Sequence, residues 1–450
     1  MSILGSLNRE QKEAVGLLQI GTFLEYFDLM LYVHMAVLLN ELFFPKTDPH
    51  TASLVAAFAF CSTYVFRPFG ALIFGWLGDN IGRKHTVIIT TLLMSLSCTL
   101  MANLPTYEQI GITASWLVTG CRIIQGLSSM GEVIGAQIYV SEFVRPPAQY
   151  IAVSLISLAT VIGGIAALGI ASLVTISGLN WRIAFWMGAC IAVVGSMARI
   201  RLRETPEFIK MKLQLQKKIE ENRDRKKQNL KISQIKSSLN SIPAEKETYV
   251  AYFLAYCGWP LSFYLVYMYF NPILKDHYGY SAADIIHQNL CLSILALIFC
   301  SLWIFLSQKV HPLRILRERA KVLLIFTFFL PFLITAASSP FQIFLIQAFL
   351  LVFSMAGIPA DSVFVIHFPV FKRFTTASFV YALSRAVMYI MTALGLVYLT
   401  DWFGYYGLWM IIIPVVVGHL WGVRHFEKLE GLRPDKQHRS KRKLFWAKAA

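Results

Sequence analysis

The stretch YVFRPFGALIFGWLGDNIGRK, residues 64–84, is an apolar run that contains an arginine and ends in a charged, glycine-rich turn. Arg67 precedes Asp79 by 12 residues. On a helix this is roughly 18 Å, more than half of the hydrocarbon thickness of a bilayer. If the run spans a membrane, Arg67 lies near the midplane and the segment from Asp79 to Lys84 lies at the water interface. A charge at that depth is a functional-site hypothesis.

The composition predicts a polytopic α-helical membrane protein. Hydrophobic residues make up 56% of the 450 residues and charged residues 15%, against about 25% charged in soluble domains. Apolar runs of about 18 or more residues recur from Gly16 to Val423. The net charge of +16 is concentrated in short segments between these runs. It therefore indicates membrane topology and argues against a nucleic-acid partner.

The apolar runs predict an all-α membrane protein with twelve transmembrane helices in two pseudo-symmetric six-helix bundles. We expect an N-terminal bundle over residues 1–201, a basic linker over 202–247, a C-terminal bundle over 248–423 and a basic tail over 424–450. The predicted spans are residues 16–41, 52–77, 85–104, 110–140, 150–176, 181–201, 248–272, 284–307, 321–338, 341–366, 375–399 and 405–423.

Lysine and arginine are concentrated in alternate loops, which predicts that both termini are cytoplasmic. The linker and the tail are either solvated connectors or basic segments that contact anionic lipid. All seven cysteines fall in apolar runs without metal-type spacing, so we expect no metal site and no cofactor. HExxH, GxSxG and Walker-type motifs are absent from the sequence, which argues against an enzyme. We expect a monomer in the bilayer.

Span one contains GTFLEYFDLMLY, in which Gly21, Glu25, Asp28 and Tyr32 are spaced to share one helical face. Two carboxylates this deep must face the bundle interior or a wet cavity, because a lipid-facing charge costs about 2.5–3.5 kcal/mol. Either they form structural ion pairs with neighbouring helices, or Glu25 or Asp28 is a proton- or cation-coupling site.

Span four carries a polar stripe of Arg122, Gln125, Ser129 and Glu132 on one face. Arg67 and Arg122 balance the two carboxylates of span one. Arginine binds carboxylates in a bidentate manner, so Arg67 either holds a substrate anion or is a fixed partner of Glu25 or Asp28. Arg122, Gln125, Tyr32 and Arg385, which is near the midplane of span eleven, complete the substrate candidates. Asp361 and His367 fall in span ten, and we expect His367 to be interfacial.

The turn after span two could act as a conformational latch. Its glycines permit a close approach and a sharp reversal. Asp79 can accept hydrogen bonds from a helix N-terminus, such as that of span eleven, and Arg83 can pair with Glu142. The alternative is a basic turn that only sets topology. The predicted latch residues are Gly75, Asp79, Gly82, Arg83, Lys84, Glu132 and Glu142.

The turn GWLGDNIGRK (Gly75–Lys84) and RIIQG (Arg122–Gly126) resemble the signatures of the major facilitator superfamily. More narrowly, the first half is similar to the metabolite:proton symporter family, which includes proline/betaine, α-ketoglutarate, citrate and shikimate carriers. The motifs are GTFLEYFDLMLY, the FFP of Phe43–Pro45, RPFG (Arg67–Gly70), QGLSSMGE (Gln125–Glu132), WRIAFW (Trp181–Trp186) and RETPEF (Arg203–Phe208).

The resemblance is weaker in the second half. There the family usually has an acidic residue before the FP of Phe368–Pro369, where this chain has Ile366 and His367, and a glycine pair near Arg385 and Ala386. The resemblance implies proton-coupled uptake of a small organic acid or zwitterion by alternating access, in a bacterial inner membrane. An uncoupled facilitator or exporter of the same fold, and a transport-dead sensor, are the alternatives.

Overall fold

The structure, a computed structural model, describes residues 7–44, 63–177, 180–200, 202–224 and 246–432. Several predicted features lie outside these residues: the start of span two (52–62), Pro45 of the FFP motif, the middle of the linker (225–245) and the end of the tail (433–450). Within the described ranges all secondary structure is helical, which agrees with the predicted all-α fold.

Each predicted span has a helix in the described residues. We number them α1 Arg9–Phe43, α2 Arg67–Asn80, α3 Arg83–Asn103, α4 Ile112–Phe143, α5 Ala148–Ser177, α6 Arg182–Arg199, α7 Lys246–Tyr264, α8 Ala282–Leu306, α9 Pro312–Ala336, α10 Pro340–Val352, α11 Val370–Ile390 and α12 Gly407–Leu429. The shorter helices include Tyr107–Ile110, a linker helix Pro206–Asp224, Asp361–Ile366 and a 3₁₀ turn Gly404–Tyr406. Single π-helical segments, Leu265–Tyr269 and Met391–Gly395, continue α7 into Phe270–Tyr278 and α11 into Leu396–Phe403.

The connection between α7 and α8 shows how local sequence sets helix ends. Gly279 ends the helical run with φ 67°, a left-handed conformation that glycine adopts without strain. Ser281 then caps α8, because its hydroxyl accepts from the Asp284 backbone N–H at 3.2 Å. The Asp284 carboxylate accepts from the Ser281 backbone N–H at 2.9 Å. This reciprocal capping box begins α8 at the residue after Ser281.

The helices pack as two bundles that meet along two pairs of helices. In the first bundle α1 packs along α5, and α3 packs against α4 and α6; in the second, α12 packs against α7 and α9. The bundles meet where α2 packs against α11 and where α5 packs against α8. Gly75 permits the α2–α11 contact, since a Cβ there would lie 2.5 Å from the Thr375 Cα.

Seven of the described helical segments are long and apolar enough to cross a membrane by length and composition. They correspond to α1, α3, α5, α7, α8, α9 and α12. Two shorter apolar helices, Arg182–Ile191 and Pro340–Val352, correspond to α6 and α10. The other three numbered helices, α2, α4 and α11, carry Arg67, Arg122 and Arg385. These three arginines are buried.

Span ten differs from its prediction. The sequence predicts one helix over 341–366, but α10 ends at Val352 and helical structure resumes only at Asp361. Gly357 and Pro359 lie in the intervening segment. Proline cannot donate a helical hydrogen bond and glycine disfavours a helix interior, so these two residues account for the break.

Candidate functional site

Asp28 and Arg122 form a buried polar group inside the first bundle. Asp28 on α1 and Arg122 on α4 are each 1% exposed, and their charges interact. Cys98 of α3 donates its Sγ–H to Asp28 Oδ1 at 3.2 Å. Glu25, one turn earlier on α1, is also 1% exposed. The structure thus brings a span-one carboxylate and the span-four arginine into one electrostatic unit.

Arg122 is oriented by two of the predicted residues. Its guanidinium carbon lies 3.8 Å from the centre of the Tyr32 ring, a cation–π arrangement. Its Nη1 donates to Gln125 Oε1 at 2.9 Å. Among the described residues, Arg122 Nε and Nη2 and Asp28 Oδ2 have no hydrogen-bond partner. Because buried polar atoms are normally hydrogen-bonded, these open positions suit a ligand or a proton.

Arg67 lies where the two bundles meet. It is 2% exposed, and its guanidinium carbon lies 4.6 Å from the Tyr64 ring centre. The Tyr64 ring lies 4.1 Å from the ring of Tyr389 on α11, in the second bundle. Within the described part of the chain, Arg67 Nε and Nη2 lack hydrogen-bond partners. Arg67 therefore offers donors at the bundle interface.

Arg385 approaches the same interface from the second bundle. Its guanidinium donates to the Tyr381 hydroxyl, and its carbon lies 4.1 Å from the Tyr381 ring centre. Tyr26 of α1 interacts electrostatically with both Arg67 and Arg385. Tyr26 is therefore close enough to sense both charges.

A cavity of about 280 Å³ lies between the bundles, near the lower end of the roughly 300–1,000 Å³ of ligand pockets. We call it the central cavity. Its walls come from α1 and α5 on one side and from α7 with its continuation and α8 on the other, and include Tyr26, Thr160, Trp259, Phe263, Tyr267, Asn271 and Asn289. None of these seven residues was among the predicted substrate-binding candidates.

The aromatic-rich segment before Asn271 contributes Tyr267 and its neighbour Met268 to the central cavity. Both lie in the π-helical segment of α7, and such bulges often occur at functional sites. A second cavity of about 60 Å³ shares Tyr26 and Trp259 with the first and contains Arg385. Among the described residues, none of the three predicted arginines, Arg67, Arg122 and Arg385, lines the central cavity.

Asp79 connects the two bundles at the end of the molecule that carries the α2–α3 turn. Its Oδ1 accepts from the Phe374 backbone N–H at 3.1 Å. Its Oδ2 accepts from the Thr375 backbone N–H at 2.9 Å and from the Thr375 hydroxyl at 2.7 Å. Both donors lie near the start of α11, so the expected contact between Asp79 and the N-terminus of span eleven is present.

Arg83 and Glu142 extend this contact into a network. Arg83 is fully buried; its Nε and Nη2 donate to Glu142 at 3.3 and 3.2 Å, and its Nη1 donates to Asp79 Oδ1 at 2.9 Å. Arg83 Nη2 also donates to the Val370 carbonyl of α11 at 2.8 Å. Arg373 of α11 donates to Glu142 at 3.0 Å. The predicted Arg83–Glu142 pair is present, and Arg373 is an unpredicted partner.

The RETPEF segment, which was predicted only as a family motif, supplies further members of this network. Glu204 accepts from the Arg83 backbone N–H at 3.0 Å and from Thr205 N–H at 3.0 Å, which caps α3. Glu207 accepts from Arg373 at 2.9 Å. We call Asp79, Arg83, Glu142, Glu207 and Arg373 the charged cluster.

Gly82 is required where the turn enters α3. It has φ 146°, and a Cβ there would lie 2.0 Å from Glu204 Oε2, so any side chain would both strain the backbone and displace the cap. Lys84 is half-buried and its backbone N–H lies 3.4 Å from Glu204 Oε1. Glu132 lies on α4, and its side chain is outside the described part of the structure. His367, expected at the interface, is partly exposed and pairs with Glu430 at 2.9 Å.

Residues 18–396 match the family model described as Major Facilitator Superfamily. The chain belongs to the Major Facilitator Superfamily. This match confirms the predicted fold class and the resemblance on which it rested. Members of the superfamily are transporters and not enzymes, which agrees with the expectation that the chain is not an enzyme.

Curated relatives match less than half of this superfamily member. The proline/betaine transporter of Escherichia coli K12 is 33% identical over 204 residues, 44% of this chain and 41% of that transporter. The inner membrane metabolite transport protein YhjE of the same strain is 34% identical over 213 residues, 46% of this chain and 48% of that protein. The chain therefore spans less than half the length of the curated relatives it matches.

Solved structures of the superfamily resemble nearly the whole chain. The proton:xylose symporter XylE of E. coli, bound to 6-bromo-6-deoxy-D-glucose, has a TM-score of 0.71 at 16% identity and covers 91% of this chain and 94% of its own. The human organic anion transporter MFSD10 has a TM-score of 0.66 at 14% identity, covering 93% and 100%. At these identities the likeness concerns the fold.

Proposed function

We propose that the chain is a proton-coupled symporter that takes up a small solute carrying a carboxylate, such as an organic acid, proline or a betaine. The observation that carries the proposal is the burial of Asp28 and Arg122 inside the first bundle, where both side chains keep hydrogen-bonding atoms without partners among the described residues. A titratable carboxylate beside an arginine provides a proton site and an anion site in one place.

Coupling follows from competition for Arg122. While Asp28 is ionised, its charge and that of Arg122 stabilise each other, and the arginine is less available to a substrate. Protonation of Asp28 removes this competitor, so a substrate carboxylate binds better. By linkage, bound substrate favours the protonated carboxyl group to the same extent. Glu25 is the alternative proton acceptor on the same helical face.

The residues at the bundle interface support a carboxylate-bearing or zwitterionic substrate. Arg67 offers buried N–H groups for bidentate recognition of a carboxylate, and Arg385 is a further candidate from the second bundle. The central cavity is rich in aromatic side chains, including Tyr26, Trp259 and Tyr267. Aromatic faces attract quaternary ammonium groups. The printed name of the proline/betaine relative supports the same substrate class.

The charged cluster would then be the latch of an alternating-access cycle. Its cross-bundle hydrogen bonds and ion pairs close one end of the molecule, and rocking of the bundles must break them to open that end. The basic loops at this end support its assignment as the cytoplasmic face by the positive-inside rule. We therefore propose that both termini are cytoplasmic and, with the inner membrane relative YhjE in support, that the membrane is a bacterial inner membrane.

Proteoliposomes test the proposal. A thermal-shift screen of organic acids, amino acids and betaines on the purified protein first selects a solute that binds. Wild-type protein should accumulate this solute when the outside is made acidic. Asp28→Asn should lose accumulation and retain counterflow, because a neutral side chain at this position leaves Arg122 open but carries no proton. The exposed Asp401→Asn serves as the matched control and should behave as wild type.

Full pH-driven accumulation by Asp28→Asn would refute the role of Asp28. Counterflow without pH dependence in the wild type would identify an uncoupled facilitator or exporter. Binding of the solute without any flux would identify a transport-dead sensor.

A further inference from the structure

The break in span ten is held by a buried arginine. Between the end of α10 at Val352 and the helix that starts at Asp361, the chain is not helical. Arg319 of α9 is 5% exposed; it donates to the Ser354 carbonyl, and to the Ile358 carbonyl at 2.8 Å. Irregular backbone at membrane depth is tolerated only inside protein or along a cavity, and broken helices of transporters often carry ion sites.

The break places Asp361 between the two bundles. Asp361 is 4% exposed. Its Oδ1 accepts from the Tyr256 hydroxyl of α7 at 2.7 Å, and its Oδ2 accepts from the Ser157 hydroxyl of α5 at 3.0 Å. Gln137 of α4 donates to Ser157 at 3.1 Å. Gly357 leaves space for the carboxylate, since a Cβ there would lie 2.1 Å from Asp361 Oδ1.

The partners of Asp361 are compatible with both of its protonation states. A hydroxyl group can donate to a carboxylate and can also accept from a protonated carboxyl, so Ser157 and Tyr256 can follow a proton by rotating their O–H bonds. Glu142 is different, because two arginines hold it and protonation there would leave buried positive charge uncompensated. The surroundings of Asp361 therefore allow it to exchange a proton, whereas those of Glu142 keep its carboxylate charged.

Ionisable groups surround Asp361 on several helices. Tyr252 and Tyr256 face it from α7, Cys300 from α8 and Arg385 from α11. Arg385 is the cation among these four groups, and it acts on Asp361 without an ion pair within 4.0 Å among the described residues. One cation at longer range offsets part of the carboxylate charge and leaves room for a proton.

A smaller cavity beside Asp361 adjoins the central cavity. Asp361, Gln137 and Ser157 line the cavity of about 60 Å³ that shares Tyr26 and Trp259 with the central cavity. A space of about 10–15 Å³ is enough for one water molecule, so this smaller cavity has room for hydrated proton transfer. Gln137 Oε1 lacks a hydrogen-bond partner among the described residues and could accept from water there.

We propose that Asp361 is a second proton-binding site, separate from Asp28, and that its hydrogen bond to Ser157 links proton binding to the contact between the bundles. The proposal rests on the proposed function in that it takes the coupling ion to be a proton. Its test reads proton binding by the protein alone and needs no substrate.

Infrared difference spectroscopy of the purified protein between acidic and alkaline pH tests the proposal. Protonated buried carboxyl groups give a carbonyl-stretch band distinct from that of carboxylates. Asp361→Asn should lose one such band, and Asp28→Asn should keep it. Tyr256→Phe should keep the band and move its titration midpoint to higher pH by about one unit, because the phenol donates to the charged form.

The same carboxyl bands in Asp361→Asn as in wild type, in protein that elutes as wild type from a sizing column, would overturn the inference. If Asp361→Asn does not fold, an unmoved midpoint in both Tyr256→Phe and Ser157→Ala would overturn it equally. A failure of the proposed function would be distinguishable from a failure of this second site. Lost accumulation in Asp28→Asn together with an unchanged Asp361→Asn spectrum would leave that function standing and remove only the second site.

Discussion

Replacing Asp79 by asparagine tests whether the charged cluster holds the two bundles together. The carboxylate accepts three hydrogen bonds across the bundle interface, at 3.1, 2.9 and 2.7 Å. Asparagine has one acceptor oxygen, and its NH₂ group would face a donor of α11. At least one cross-bundle donor then loses its acceptor, and the remaining bonds become neutral ones.

The expected effect can be worked from these bonds. A hydrogen bond to a charged group contributes about 1.5–3 kcal/mol and a neutral one about 1 kcal/mol. The loss of one charged bond and the weakening of the others therefore costs the closed state about 2–4 kcal/mol. At tenfold per 1.4 kcal/mol, the ratio of closed to open molecules falls roughly 30- to 700-fold. The Arg83–Asp79 pair lies within one bundle and does not oppose opening.

Electron–electron double resonance between spin labels at His85→Cys and Lys372→Cys measures this ratio. Both positions are exposed and lie on α3 and α11, in different bundles. In a cysteine-depleted background, Asp79→Asn should add a longer-distance population that wild type lacks. Thr375→Ala, which removes only the hydroxyl bond, should add a smaller one, and the exposed Asp401→Asn should add none. A distance distribution in folded Asp79→Asn identical to wild type would refute the role of Asp79 in closing this end.

Two further substitutions test the packing of the turn and the charge balance of the cluster. Gly82→Ala should lower the melting temperature more than Gly111→Ala does. Both glycines have positive φ, but only at Gly82 would the new Cβ meet an atom, the Glu204 carboxylate at 2.0 Å. Equal losses of melting temperature would contradict the steric argument. Glu142→Gln should cost about 3–5 kcal/mol of stability, because it leaves the charges of its two buried arginine partners undercompensated. Thermal unfolding measures this loss, with the exposed Glu318→Gln as the control. Equally small losses in both variants would contradict the prediction.

The fold was predictable because long apolar runs admit few alternatives. In a bilayer each backbone polar group must be satisfied within the protein, so a long apolar run becomes a helix. The contacts of Asp79 and Arg83 were also predictable, because a carboxylate and an arginine at a glycine-rich turn have few suitable partners nearby. Their roles as a latch remain a prediction for the labelling experiment above.

Which residues form the charged cluster was harder to predict from the sequence. Glu207 and Arg373 are 166 residues apart, and their meeting depends on how the linker helix and α11 converge. No local pattern encodes such a distance. The break in span ten did leave a local signal, Gly357 and Pro359, which punctuate an otherwise apolar run. Hydropathy alone predicts a continuous helix there. It cannot show the break, because Arg319 from a different helix stabilises the broken backbone.

The two polar regions of the molecule differ in how completely they are satisfied, and this difference supports separate roles. In the charged cluster Glu142 accepts from two arginines and from the Thr205 hydroxyl at 2.7 Å, so its charge is compensated within the protein. Asp28 and Arg122 inside the first bundle, and Arg67 where the bundles meet, keep buried atoms without partners among the described residues. Each such atom costs about 1–3 kcal/mol. In the proposed function, a substrate carboxylate and a proton would remove this cost. Their binding would then supply free energy for breaking the cluster and reorienting the bundles.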